Sequence, residues 1–414
     1  MFLECDYDGK FLFIDADLKK YFGYLNQDFI KSNRLFNLVH PDSSIDFINF
    51  YNSLLNDKFN CIKCHFLFVG SDFETINCFF YVEKFDSKIK FKFLNIEKYV
   101  IFKKKYNIVE KFLFLTRSKF LIGSLMPFFF AIPWCYFRYH DCHAYLLLFL
   151  SFFSLLFLHM AANTFNDYFD WKSGRDKKNI DYVLCSTGGS RAIDFKIISE
   201  KNMLYLSIFF LFLVFIISCY LYYVRGILII FIGFVAVFSV YFYSAPPIHL
   251  ASRYGLGELM HIICLGPLII YTTVYIIVGV NDYLDFLIGI PHGLFITCCL
   301  LLNEFPDAKF DMLCGKNNLV VVLGSEYIPY VYLILNLVSF CLIFILYFIF
   351  SLSYIFLFSF ILIPYVFYTC KLVFLLHTHD RKIIHLSCSR SLNIYLYYSI
   401  IIIISCILVI FFNP

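Results

Sequence analysis

Charge is what this sequence has least of. Only 15% of its 414 residues are Asp, Glu, Lys or Arg, against roughly 25% in soluble domains, which excludes a chain that is soluble along its whole length. The net charge of +4 is too small, and its basic residues too unevenly placed, to suggest a nucleic-acid partner. A basic presequence is missing as well: Met1-Phe-Leu-Glu4-Cys-Asp6 carries acids where a secretory or organellar leader wants bases, so no signal peptide is expected. Inverted repeats of the kind seen in secondary transporters are also lacking. What the chain has in abundance is apolar surface, 61% hydrophobic and 21% aromatic residues. This is the composition of a polytopic membrane protein.

Sixteen cysteines are scattered, many inside apolar runs, as at Cys264, Cys298, Cys299 and Cys406, where they act as small hydrophobes. Cys61-Ile-Lys-Cys64-His65 has the spacing of a covalent haem attachment site. The flanking 59–69 run reads as a strand that sets the two cysteines on opposite faces, and the topology keeps this end in the cytoplasm. Haem attachment is not expected.

Residues 1–97 are mixed in polarity and have no run long enough to span a bilayer. Asp8-Gly9 is a hairpin signal between strands near 2–5 and 10–14. Helical pieces near 18–22 and 45–55 flank Gly23-Tyr24 and Leu38-Val39-His40-Pro41-Asp42, and strands follow near 61–69, 75–83 and 88–95. The order of elements, with "DGKFLFID", "YFGYLNQDFI" and "LFNLVHPDS", resembles a PAS domain. That resemblance implies a sensor or a dimerisation module. A basic connector, 98–119, contains Lys103-Lys104-Lys105 and suits anionic headgroups.

From there nine apolar runs follow, near 120–137, 145–165, 203–224, 227–243, 259–278, 286–302, 327–350, 352–376 and 392–412, and each is long enough to be a span. Lys172, Arg175, Lys177, Lys178, Arg191, Lys196, Lys201, Arg253, Lys309, Lys316, Arg381, Lys382 and Arg390 fall in loops on the side of the N-terminus. The opposite loops hold Arg138 and Arg225. The positive-inside rule therefore puts the N-terminus, and the end of the second span, in the cytoplasm.

The second span ends in Asn163-Thr-Phe-Asn166-Asp167-Tyr-Phe-Asp170-Trp-Lys172-Ser-Gly174-Arg175-Asp176. On a helix Asn163, Asn166 and Asp170 stand at i, i+3 and i+7 and share one face. Carboxylates crowded there repel unless a cation joins them, and hard oxygens at an aqueous mouth suit Mg²⁺. The sixth span ends on the same side in Asn303-Glu304-Phe-Pro-Asp307-Ala-Lys-Phe-Asp311, with Asp307 and Asp311 at i and i+4. Two such ends at one depth could hold Mg²⁺ ions on a diphosphate. Asn281-Asp282-Tyr-Leu-Asp285 imitates the first motif on the outer side and reads as a loop.

Both acidic motifs, with "TGGSR" at 187–191, "YSAPPIHL" at 243–250 and "GLGEL" at 255–259, resemble the UbiA superfamily of intramembrane prenyltransferases over about 110–412. The resemblance implies a nine-helix bundle in residues 120–414. It implies that Asn166, Asp167, Asp170 and Asp176, and Asp307 with Asp311, bind Mg²⁺ and a polyprenyl diphosphate. Lys172, Arg175, Arg191 and Lys316 would grip diphosphate oxygens. Asn303 would help bind substrate, and Tyr243, Arg253 and Glu258 would face an aromatic acceptor. Asp170, Asp307, Asp311 and Arg191 would carry catalysis.

The 4-hydroxybenzoate branch of that superfamily typically places a third aspartate four residues after the second. Here that position is Gly174 and the acid comes at Asp176, which favours the 1,4-dihydroxy-2-naphthoate branch of menaquinone synthesis, in a bacterial-type inner membrane. The rival from another class is a PAS-headed membrane sensor that binds a quinone or lipid without chemistry.

Overall fold

The computed structural model describes residues 1–22, 33–39, 43–56, 61–69, 75–85, 88–94, 108–140, 144–178, 189–195, 197–350, 352–378 and 381–412. It divides into two compact units, Met1–Thr116 with Asp170–Met203, and Arg117–Phe169 with Leu204–Pro414.

The first unit is built on an antiparallel sheet of β1 (Phe2–Cys5), β2 (Phe11–Ile14), β3 (Cys61–Val69), β4 (Thr75–Lys84) and β5 (Ile89–Phe93), in the order β2-β1-β5-β4-β3. The expected Asp8-Gly9 turn joins β1 to β2. Gly9 takes a left-handed φ of 79°, and the Asp6 Oδ1 accepts from the amides of Asp8 and Lys10. Between β2 and β3 lie helices α1 (Ala16–Phe22) and α2 (Ser44–Asn56). Phe47, Tyr51 and Leu54 of α2, at i, i+4 and i+7, turn one buried face to the sheet. There Phe47 meets the rings of Phe66 and Phe68 at centroid distances of 5.1 and 6.0 Å, and Phe80 meets Phe91 at 5.4 Å. The motifs around Gly23-Tyr24 and His40-Pro41-Asp42 lie outside the described residues.

This core takes in residues from far along the chain. Phe195, fully buried, belongs to it, and Ile197 packs against it. Asp170–Met203 groups with the N-terminal unit, where these two apolar side chains have their burial. Helix α3 (Ile108–Leu115) has no buried residue and exposes Ile108, Val109 and Leu113.

The second unit is helical. Its helices are α4 (Ile122–Tyr139), α5 (Tyr145–Lys172, whose last residues pass into the first unit), α6 (Glu200–Arg225, which begins there), α7 (Leu228–Ser244), α8 (Leu256–Cys264), α9 (Pro267–Val278), α10 (Tyr283–Leu287), α11 (Ile290–Glu304), α12 (Ala308–Leu313), α13 (Leu319–Leu323), α14 (Ile328–Ile349), α15 (Ile363–Val373) and α16 (Arg381–Phe412). Among the described residues eight helical segments are long and apolar enough to cross a membrane. The expected ninth span is α7, apolar but 17 residues long, stopped by Pro246 and Pro247, whose bond is cis. Outward faces expose Phe212, Phe215, Phe234 and Ile361, as suits helices in contact with lipid.

The fifth expected span is interrupted at Leu265-Gly266, between α8 and α9. The backbones are too close here for any side chain: a Cβ at Gly266 would lie 2.2 Å from the Gly289 carbonyl oxygen, and one at Gly293 would lie 2.1 Å from that of Ile262. Glycine thus lets α11 lie directly against α8. The next turn of α11 is held by a side-chain bond, Thr297 Oγ1 to His261 Nδ1 at 3.0 Å.

The acidic mimic at 281–285 is a capped helical turn, correcting the expected loop. Asp282 caps α10 by accepting from the Leu284 amide, and Asp285 accepts from the Asp282 amide. Trp134 and Tyr139 of α4 donate to Asp285, and Arg138 pairs with Asp282. Asp282 and Asp285 are thus occupied in tying α4 to α10, which precedes α11 at the end of that helix opposite Glu304.

Candidate functional site

Helix α5 continues unbroken through the first motif, so its amides and acids keep helical spacing. Asp167 is 3% exposed. An ionised carboxylate at that depth needs a partner, and Arg117 supplies it: its guanidinium bonds Asp167 and donates to Asn166 Oδ1 at 3.0 Å. The Asn166 amide in turn donates to Ser244 Oγ at 3.0 Å. Arg117 stands just before the first span in a left-handed conformation, φ 49°. It was read as part of a connector for lipid headgroups, and its position beside the membrane on the side of the acids was the available signal.

In the first unit, Asp170 pairs with Arg175 across a turn closed by the Gly174 amide on the Trp171 carbonyl at 3.0 Å. Gly174 has φ 74° and open space where a Cβ would go, so its backbone angle is the whole requirement. Asp176 opens a single helical turn, Arg175–Lys178. Arg191 is fully buried, bonds the Asp176 carbonyl, and lies 3.3 Å from Asp194 Oδ2 and 3.8 Å from Asp176 Oδ1. Its φ of 57° is a strained choice for a side chain that could have been glycine. Lys172 is exposed.

The second motif is a denser cluster. Lys316 Nζ lies 2.9 Å from Asp311 Oδ2 and 3.8 Å from Glu304 Oε1. Asn318 donates to the same Asp311 oxygen at 3.0 Å while its own oxygen caps α13 through the Val321 amide. Glu258, from the first turn of α8, accepts from the Leu319 amide at 2.6 Å. Asp311, Glu304, Glu258 and Asn318 are all buried. Among the described residues no donor reaches the Oε2 atoms of Glu258 and Glu304. Asp307 and Asn303 are partly exposed, Asp307 at the start of α12.

Glu304 escaped notice as a site residue; an acid on the last turn of an apolar span was the signal. Arg253, expected at the acceptor, holds the Ile248 and Pro247 carbonyls at 2.8 and 3.0 Å. Tyr243 is partly buried beside Ser244.

Within the second unit the two motifs share one end. Asn166 reaches Ser244 at the end of α7. The loop that follows bonds the 316–319 segment through the Tyr254 amide on the Asn317 carbonyl, 2.8 Å, and that segment carries the partners of Asp311.

The donor set is hard oxygen, and Asp167, Asp170, Asp176 and Asp311 each face an Arg or Lys. Among the described residues no three His, Cys, Asp or Glu side chains stand close enough to cage a metal by themselves. Such a set fits Mg²⁺, which keeps waters and takes phosphate oxygens as ligands instead of a protein cage.

A model of the UbiA prenyltransferase family matches residues 124–411. The chain is 28% identical over 182 residues to 1,4-dihydroxy-2-naphthoate octaprenyltransferase of Bacillus subtilis, covering 44% of this chain and 56% of that one. It is 32% identical over 90 residues to the UbiA prenyltransferase domain-containing protein 1 of Dictyostelium discoideum, covering 22% of this chain and 27% of that one. The chain thus spans about half the length of the first relative and about a quarter of the second. A solved UbiA homolog from Archaeoglobus fulgidus superposes with a TM-score of 0.51 at 17% identity, covering 72% of this chain and 99% of that one; the fold is shared.

Proposed function

This chain belongs to the UbiA prenyltransferase family, and on that premise we propose that it transfers a polyprenyl group from its diphosphate to an aromatic acceptor within the membrane. The acceptor we favour is of the 1,4-dihydroxy-2-naphthoate type, in quinone synthesis. Supporting that choice are the similarity to the Bacillus enzyme and the acid at Asp176 in place of one at 174. The observation that carries the reading is the arrangement of acids in cation-balanced sets at one end of the bundle: Asp167 with Arg117, and Asp311 with Lys316.

Asn166, Asp167, Asp170 and Asp176, with Asp307 and Asp311, would hold Mg²⁺. Bound there, the metal would neutralise charge on the departing diphosphate. Arg175, Arg191 and Lys316, which face acids here, and the exposed Lys172 would then grip phosphate oxygens, Arg as a fork and Lys as a point charge. The C1–oxygen bond of the allylic diphosphate breaks, pyrophosphate leaves, an electron-rich ring carbon attacks C1, and that carbon restores aromaticity by losing its proton or, in a naphthoate acceptor, its carboxyl group as CO2. Aromatic and apolar walls keep water from the cation. Asn303 would position substrate. The bundle spans the membrane many times; we place its acidic end and the N-terminal sheet in the cytoplasm, and the protein in a bacterial-type inner membrane, on the loop charges. The strand order of the sheet supports a PAS-like module, with sensing or dimerisation as its role.

The test is purified protein in lipid with Mg²⁺, a polyprenyl diphosphate and a panel of phenolic and naphthoic acceptors, with products read by mass spectrometry. Prenylated product that disappears in Asp170→Asn and Asp307→Asn is the expected result. No product with any acceptor, and no pyrophosphate released, would leave the sensor reading in its place.

A further inference from the structure

Besides the fully buried His292, two partly exposed histidines lie inside the bundle, one to two turns deeper than the acids. His159 of α5 precedes Asn166 by seven residues, which returns it to the same helix face about 10 Å along the axis. His261 of α8 follows Glu258 by one turn. Each ring is held by one nitrogen to a buried hydroxyl on another helix: His159 Nδ1 to Ser124 Oγ of α4 at 2.7 Å, and His261 Nδ1 to Thr297 Oγ1 of α11 at 3.0 Å. Thr297 is itself seven residues before Glu304, again on one face. Four helices that carry or adjoin the acidic end therefore contribute to one polar layer beneath it.

The rings are electrostatic neighbours. Both are desolvated by the surrounding protein, yet both remain partly exposed, as side chains lining an enclosed space are. Among the described residues nothing bonds the Nε2 of either ring. A polar group inside a membrane bundle is costly unless it has a task. Two imidazoles fixed by Nδ1, with Nε2 bonded by none of the described residues, are set to meet hydroxyl groups.

We infer that His159 and His261 bind the ring hydroxyls of a hydroxy-aromatic acceptor, and so orient it below the diphosphate. The inference rests on the proposed transfer. The depth agrees: a diphosphate held at the level of Asn166 and Asp167 directs its C1 inward, and the attacking ring lies next beyond C1. Glu258 and Glu304 lie toward the acidic end of their helices, while further from that end Phe130, Trp134 and Phe295 belong to the buried apolar core, with His292 packed against Phe130. His159 and His261 are positioning residues that select for hydroxyl at the acceptor.

The experiment reads acceptor binding directly, apart from transfer. Full-length protein in lipid is titrated with the fluorescent probe 1-hydroxy-2-naphthoate and with its 1-methoxy analogue. Wild type should prefer the hydroxy compound by about tenfold or more, because a site built to bond a hydroxyl leaves polar groups unpaired when it is absent. In His159→Ala and His261→Ala the preference should collapse, with Mg²⁺-dependent binding of a non-transferable prenyl thiolodiphosphate unchanged. Ser124→Ala and Thr297→Val, which remove only the anchors, should lose part of the preference and guard against misfolded histidine variants. If both histidine variants and both anchor variants keep the wild-type preference, or if wild type shows none, the inference is overturned. Absence of prenyl transfer in a separate assay of wild type would count against the proposed function alone.

Discussion

Arg117 and Asp167 form an ion pair between the turn that leads into the first span and the end of the second, and the same guanidinium holds Asn166. The pair fixes the first acidic motif before any substrate arrives. Arg117→Ala strands a nearly buried carboxylate, at a cost of about 3–5 kcal/mol when a buried pair loses one partner. We expect a clear drop in thermal midpoint in lipid. Arg117→Ala combined with Asp167→Asn should recover much of that loss, and a double-mutant cycle with no coupling would refute the pair.

Gly293→Ala should act through backbone collision. Its Cβ would sit 2.1 Å from the Ile262 carbonyl oxygen, so α8 and α11 must separate, costing about 1–3 kcal/mol as an overpacked contact. The His261–Thr297 bond lies one turn along, so acceptor KM should rise while the affinity for prenyl diphosphate stays near wild type. A variant with wild-type stability would show that the helices can part freely.

Phe195→Ala should destabilise the N-terminal sheet domain, about 100 residues distant in sequence. Emptying a fully buried phenylalanine site costs about 3–5 kcal/mol. Hydrogen exchange should report faster opening in the peptides of β1, β4 and β5. Protection unchanged there would mean that the core does not depend on this ring.

Acid should loosen the same domain through Glu4. Hydrogen bonds from Lys88, reinforced by Lys90, hold its carboxyl below the ordinary value of 4.5. A depressed folded-state pKa contributes stability that is present above the unfolded value and lost as pH falls through the folded one. Amide exchange in β1 and β5 should therefore accelerate below about pH 4.5 beyond the intrinsic pH trend, and Glu4→Gln should remove that extra acceleration while lowering protection at neutral pH.

Much of this arrangement is written in local patterns. The spacing of Asn163, Asn166 and Asp170 needs only a continuous helix, which α5 provides. The Asp8-Gly9 turn and the strands around it are set by near neighbours. Long-range partners leave no such mark. Arg117 looks like one more basic residue at a membrane edge until α5 brings Asp167 to it. Glu304 counts as the last letter of an apolar run until Lys316 and Glu258 fold back. The break at Gly266 is visible as a glycine, but its reason is the carbonyl of Gly289 on another helix.

The burial of Phe195 in the N-terminal core has a consequence for biosynthesis. The strands of that core are complete by Phe93, yet the ring that fills it is translated roughly 5–20 s later at ordinary elongation rates, after α4 and α5 have been made. The domain emerges first and must wait with an unfilled interior while two spans are threaded into the bilayer. Its core is therefore completed only after the chain through Phe195 has been made, and a chain cut short before that residue would be left with an open, protease-sensitive head.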